Sequence, residues 1–232
     1  MAGFTNQDLN LMFTTVVWEN IKKTLITCSK AMKEESLSSS HLIDNNENKI
    51  RNRLVAKYLT NDEFKKRRGI EQFNLLFMPE VPENFDEESD TYLGRTDIRI
   101  VNIDFLKFRQ EYYTIECKRV DGSNDLNKKY VTKGIARFVS DPILYPSDYG
   151  KNLMFGFVVK PIDINANSVS IEIIQQLELK DCIKKSLHMI DFEKSQFYLY
   201  SSEYNISQQR ILELQHLFFD FSLIIKPLSI TY

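Results

Sequence analysis

Three residues stand at a spacing suited to phosphodiester chemistry. Asp97 lies in "RTDIRIV", and Glu116 and Lys118 lie two positions apart in "TIECKRV", with eighteen residues between Asp97 and Glu116. Both stretches alternate at period two, as half-buried strands do. Ile98 and Ile100 oppose Asp97, Arg99 and Val101, while Ile115 and Cys117 oppose Glu116 and Lys118. Unpaired charge on a segment that reaches a core is expensive, so these charges call for partners. Hard oxygen ligands from Asp97 and Glu116 suit Mg²⁺, which keeps several of its waters, and Mn²⁺ is an acceptable substitute. A metal there lowers the pKa of a bound water and neutralises the scissile phosphate. Lys118, beside Glu116, would orient the attacking water and stabilise developing charge. The backbone carbonyl of Cys117 is a further oxygen for the metal, while its thiol reads as a small core hydrophobe.

The elements that must position these groups are legible on either side. A hairpin centred on "DFLKFRQE" sets Asp97 opposite the neighbourhood of Lys118 and gathers Asp97, Glu116 and Lys118 on one face. Upstream, "DNNENKIRNRLVAKYL" has helical spacing to about Leu59, with Asp44 as N-cap candidate and Glu47 at the capping-box position. Glu47 shares the stripe of Ile50, Leu54 and Tyr58 and so points inward; it is either the partner of that cap or a third carboxylate for the site. Downstream, "KKYVTKGIARFV" predicts a helix with Val131, Ile135 and Phe138 buried and Lys129, Lys133 and Arg137 in one row. That row is either a solvated face or a phosphate-steering surface.

The remainder of the chain reads as support. Residues 7 to 34 place Leu9, Met12, Phe13, Val16, Val17, Ile21, Leu25, Cys28 and Met32 on a stripe that must find a partner, with Glu19 facing solvent. "FNLLFMPEVPENFDEESDTYLG" predicts a short apolar run ending in prolines and an acidic loop, which takes in Glu80. "NLMFGFVVKP" predicts a buried strand, "NSVSIEIIQQLELKDCIKKSL" a helix, and "QFYLYSS" and "LFFDFSLII" closing strands. His216 is expected to be a satisfied core histidine. The organisation expected is a single domain over residues 1–232: an N-terminal helix (1–40), a catalytic core (44–160), and a C-terminal helix with closing strands (161–232).

Composition narrows the function classes. At 43% hydrophobic and 27% charged residues the chain reads as an ordinary globular protein. Cys28, Cys117 and Cys182 are too scattered for a disulfide framework or a zinc pair, and His41, His188 and His216 are scattered too. The seven glycines contain neither G-x-x-x-x-G-K nor G-x-G-x-x-G, so nucleotide hydrolysis is not expected. No secretory leader or membrane span is legible, which predicts a cytoplasmic protein with no membrane partner. The net charge of −2 conceals its arrangement. Residues 47–69 carry eight bases against three acids, and residues 118–137 six against two, so two basic blocks flank the carboxylates.

D-x(18)-E-C-K on a hairpin, after a helix bearing an inward glutamate, resembles the PD-(D/E)XK nuclease superfamily, also called restriction-endonuclease-like. The matching stretches are "ENKIRNRLVAKYL", "MPEVPEN", "GRTDIRI", "YYTIECKRV", "YVTKGIARFV" and "MFGFVV"; Thr96 stands where the family motif has proline. The resemblance implies an α/β fold, a central mixed β-sheet of four or so strands flanked by helices, here with an N-terminal helical extension. It implies an active site of Glu47, Asp97, Glu116 and Lys118, and a Mg²⁺-dependent endonuclease on DNA, with RNA as second choice. The pattern is similar to bacterial members often encoded near mobile elements and antiviral defence loci. With no NTPase, methyltransferase or recognition domain legible, control is expected from a regulatory partner such as an NTPase or helicase, from a ligand, or from homo-oligomerisation. The competing reading keeps the fold without the catalysis: a nucleic-acid-binding or interaction subunit whose carboxylates are structural.

Overall fold

The computed structural model describes residues 7–86, 91–103, 112–145, 147, 149–207 and 210–227. The expected hairpin centre, residues 104–111, and residues 87–90 of the acidic stretch lie outside them.

Seven strands form one mixed sheet in the order β1-β2-β3-β4-β7-β6-β5, and helices cover it, an α/β architecture. β1 (Leu75–Asp86), β2 (Thr91–Asn102) and β3 (Tyr113–Val120) are antiparallel neighbours, while β3 runs parallel to β4 (Lys151–Val158). β4 also runs parallel to β7 (Arg210–Asp220), and β6 (Phe197–Ser207) and β5 (Ile183–Glu193) extend the sheet antiparallel. The sheet is thus shared between the stretch 44–160 and the stretch 161–232. β3 and β4 are buried almost throughout, as parallel strands covered on both faces must be.

The helices explain that burial. α1 (Gln7–Ser38), α2 (Glu47–Leu54) with a π-helical turn over Val55–Leu59, and α3 (Asp62–Arg67) supply Trp18, Ile21, Leu25, Ile50, Leu54 and Phe64 to one core. The sheet side of that core is Ile98, Ile100, Ile115, Cys117, Phe155 and Phe219. α4 (Asn124–Tyr130), a π-helical turn (Val131–Ile135), α5 (Ala136–Val139) and α6 (Ile164–Glu178) build a second core with Val120, Met154, Val158, Leu214 and Phe218. Consecutive residues of β4 point into different cores, Phe155 into the first and Met154 into the second.

Four expectations need correction. The proline-bearing run is not a loop entry but β1, a 12-residue strand. Its prolines are tolerated because β1 is the sheet edge, where a missing N–H costs no ladder bond. The helix expected through "CIKKSL" stops at Glu178, and Ile183 onwards is strand β5. Met12, Phe13 and Val16 of the α1 stripe are exposed, whereas Val17, Trp18, Ile21, Leu25, Cys28 and Met32 are buried. The N-cap of α2 is Asn46, whose side chain accepts the Lys49 N–H at 3.1 Å. Asp44 instead pairs with Lys226 at 2.7 Å and with Lys49. Glu47 therefore opens the helix and is released from the capping box.

Among the described residues no helix is long and apolar enough to cross a membrane. Glu19 is exposed and paired with Lys22, and His216 is a buried histidine between Tyr130 and Ser202, both as expected.

Candidate active site

β3 brings Glu116 and Lys118 to the face that α4 covers, and both are buried, Glu116 at 0% and Lys118 at 9% exposure. Lys118 Nζ donates to Glu116 Oε1 at 2.6 Å, to the Cys117 carbonyl at 2.8 Å and to Glu47 Oε1 at 3.1 Å. Those three bonds use all the donors an ammonium has. Gly134, in the π-helical turn, makes room for this arrangement: a Cβ there would sit 3.3 Å from Lys118 Cγ and 2.5 Å from Met154 Cε. Both helices beside the site carry a π-helical turn, a feature concentrated at functional sites.

Glu47, the first residue of α2, meets the far end of β3. Its Oε2 accepts the Arg119 N–H at 3.1 Å. Arg119 in turn donates to the Asn45 carbonyl at 2.8 Å, which pins the start of α2 to the strand. Glu47 thus bridges helix and strand while holding Lys118.

Asp97 arrives from β2. The β2–β3 pairing is registered at Ile98↔Ile115, and one step further on the Asp97 side chain takes over the ladder: its Oδ2 accepts the Cys117 N–H at 2.7 Å. Its Oδ1 accepts from Arg51 of α2, and the same guanidinium reaches Glu80 of β1. Arg51 is 3% exposed. Glu80 sits between the registered pairs Pro79↔Ile98 and Val81↔Thr96, with φ of 52°, in the left-handed region where a non-glycine residue is uncommon. Glu80 thus lies on β1 and not in the expected loop, and Arg51, which in the sequence stands out only as part of a basic block, is a site residue. Its i, i+4 relation to Glu47 was the available signal.

Arg137 completes the ring. It lies 3.3 Å from Glu116 Oε1 and bonds the Tyr145 hydroxyl, which itself donates to the Arg95 carbonyl. Of the expected basic row, Arg137 therefore reaches the carboxylates, while Lys129 pairs with Asp125 at 2.7 Å and Lys133 is exposed. Lys129, Lys133 and Arg137 nevertheless line one cleft of about 600 Å³ together with Lys118, Arg119 and Lys128. Among the described residues Glu47 and Asp125 are the only acids that line it, against six bases, so this lining is strongly cationic.

Electrostatics follow from this geometry. Burial, and then the Asp97 carboxylate, push the Glu116 carboxyl up to about 7 against the pull of Lys118 and Arg137. Burial draws the Lys118 ammonium down, but Glu116, Glu47 and Asp97 outweigh it and leave the ammonium raised. Arg51 follows the same pattern, burial opposed chiefly by Asp97. Burial lifts the Cys117 thiol far up, which keeps it a neutral core group.

The donor set fits a hard divalent cation in one specific form. Among the described residues no three Asp, Glu, His or Cys side chains form a metal-holding group. A Mg²⁺ there would be held by the Asp97 and Glu116 carboxylates and the Cys117 carbonyl, with water for the rest, in exchange for bonds these oxygens now make to Arg51, the Cys117 N–H and Lys118. The ring of Glu47, Glu80, Asp97 and Glu116 against Arg51, Arg95, Lys118 and Arg137 balances four acids with four cations. A divalent ion would turn it net positive and suited to an anion. Comparison with protein-family models, with curated proteins and with solved structures gives no match.

Proposed function

We propose that this chain is a metal-dependent nuclease of the PD-(D/E)XK type that hydrolyses phosphodiester bonds of DNA. One observation carries the reading: Lys118, which lines a cleft with five other bases, bonds the buried Glu116 two residues before it, while Asp97 of the neighbouring strand accepts the Cys117 N–H between them. Mg²⁺ or Mn²⁺ on the Asp97, Glu116 and Cys117 oxygens would supply an activated water and neutralise phosphate charge. Lys118, held by Glu47, supplies a fixed positive charge where the pentacoordinate phosphate develops its own. It meets a substrate oxygen only by releasing one of its three present partners. Arg137, anchored by Tyr145, offers a second guanidinium beside Glu116, and Lys128, Lys129 and Lys133 steer the backbone inward. The test is incubation of the purified protein with plasmid, linear duplex and single-stranded DNA in Mg²⁺, in Mn²⁺ and in chelator. Cleavage confined to the metal arms supports the reading, and an intact substrate in every arm overturns it.

A role in bacterial antiviral defence, with control by a partner protein or by oligomerisation, is the biological setting that the motif resemblance supports. A second reading has its own observation. Both oxygens of Asp97 are engaged, one by Arg51 and one by the Cys117 N–H, which suits a non-catalytic nucleic-acid-binding subunit. DNA binding that persists in chelator without cleavage in any metal would favour it.

A further inference from the structure

Arg137 belongs to two clefts. Besides the cationic cleft it lines a second one of about 350 Å³, formed with Pro82, Tyr92, Gly94, Arg95 and Leu144. The two hollows therefore meet at the guanidinium that touches Glu116.

The lining of the second cleft is unlike that of the first. Among the described residues its lining has no acid and two guanidiniums, of which Arg95 also lies 3.7 Å from Glu80 outside the cleft, and the rest is an aromatic ring, a proline, a leucine and a glycine. Tyr92 is 58% exposed, a large side chain lying mainly in solvent at the outer end of β2. The floor depends on Gly94: a Cβ there would come 3.3 Å from the Tyr145 ring and 3.6 Å from Leu144 Cβ. Its absence lets the 144–145 backbone lie against β2 and brings the Tyr145 hydroxyl to the Arg95 carbonyl. An exposed aromatic ring with apolar neighbours and two planar cations suits a ligand that is itself planar, apolar on its faces and anionic at one end. A nucleotide has that chemistry. A base paired inside a duplex keeps its faces covered by its neighbours, so only an unstacked base can use such a platform.

We propose that this second cleft receives one unstacked base of the substrate strand, stacked on Tyr92, with Arg95 and Arg137 on the adjoining phosphate. The substrate at the cutting site is then single-stranded DNA. This rests on the nuclease reading, and it adds a substrate class to it.

The test measures binding of the full chain, in a Lys118→Ala background, to a labelled single-stranded oligonucleotide and to the duplex of the same sequence. Tyr92→Ala is expected to weaken single-strand binding by roughly five- to a hundredfold, the range for removing one base–aromatic stack. Duplex binding should hold, and so should the salt dependence, since every phosphate-facing cation is kept. Tyr92→Phe keeps the ring and should bind like the parent. Unchanged single-strand affinity in Tyr92→Ala, or equal losses on both probes, overturns the base-binding assignment while leaving the nuclease reading in place. Failure of the parent to bind either probe overturns both.

Discussion

Asp97 accepts the Cys117 backbone N–H at 2.7 Å, so a side chain closes the β2–β3 ladder where the main-chain pairing gives way. The same residue that is expected to hold a metal therefore also fixes the backbone between Glu116 and Lys118. Its other oxygen is held by Arg51. The proposed catalytic duty and an observed structural one converge on one carboxylate.

Clustered carboxylates suggest that neutralising one would relieve repulsion, yet the Arg51 pair reverses that sign for Asp97. Asp97→Ala leaves a buried N–H unpaired and a buried guanidinium with one anion fewer, a loss of about 1–3 kcal/mol for the N–H alone. Asp97→Asn keeps an acceptor for Cys117 and should lose less. Thermal melts in chelator should rank parent above Asp97→Asn above Asp97→Ala, and calorimetry should show weakened Mg²⁺ binding in both. Parent-like metal affinity would mean that Asp97 is structural only.

Lys118→Ala should abolish most cleavage, by roughly a hundredfold or more, the scale on which one charged group stabilises a transition state. The fold should survive. Removing Lys118 leaves Glu116 buried without its closest cation, but a carboxyl already pushed up to about 7 can stay protonated. DNA affinity should change little, because the exposed lysines of the cleft remain. Cleavage at the parent rate would remove Lys118 from the active site.

Glu116 makes stability depend on pH with a defined sign. Its carboxyl rises from 4.5 to about 7 on folding, so between those values the folded chain holds a proton that the unfolded chain has released. Stability from this group is therefore lost as pH rises through that window. Glu116→Gln escapes the effect, and its melting temperature relative to the parent, in chelator, should climb from pH 4.5 to 7 and then level off. A difference that is flat or falling across the window would contradict burial as the dominant cause.

What the sequence disclosed and what it hid have physical reasons. Period-two alternation in β2 and β3 sufficed to gather Asp97, Glu116 and Lys118, because register follows from which side chains must be buried. The helical spacing of 128–139 was equally plain, with Val131, Ile135 and Phe138 all buried. β5 stayed hidden because among Ile183–Glu193 only Leu187 is fully buried and no apolar period survives. β1 was masked by prolines that only its edge position excuses. The displaced cap of α2 depends on Lys226, far away in sequence. Arg51 was hard to read as a site residue because arginine in a basic run reads as solvated; its i, i+4 relation to Glu47 was the one signal, and its carboxylate partners on β1 and β2 reveal the rest.

The final prediction concerns the cationic cleft. Arg137 is committed to Glu116 and Tyr145, so replacing it would disturb the carboxylates as well as any bound DNA. The cleaner test replaces Lys128, Lys129 and Lys133, which line the cleft and are exposed. Lys129 gives up only a surface pair with Asp125 and Lys128 one with Glu178, each worth little in water. If the three meet the phosphate backbone, the triple alanine variant in a Lys118→Ala background should bind DNA of any sequence more weakly. The slope of log affinity against log salt should fall by roughly 0.9 for each duplex phosphate that the protein no longer neutralises, or about 0.7 on a single strand. A melt of the variant within a few degrees of the parent would confirm that the fold is intact. An unchanged slope would mean that these lysines form a solvated face and that DNA approaches by another surface, for which the exposed Lys66 and Arg67 of α3 are the next candidates.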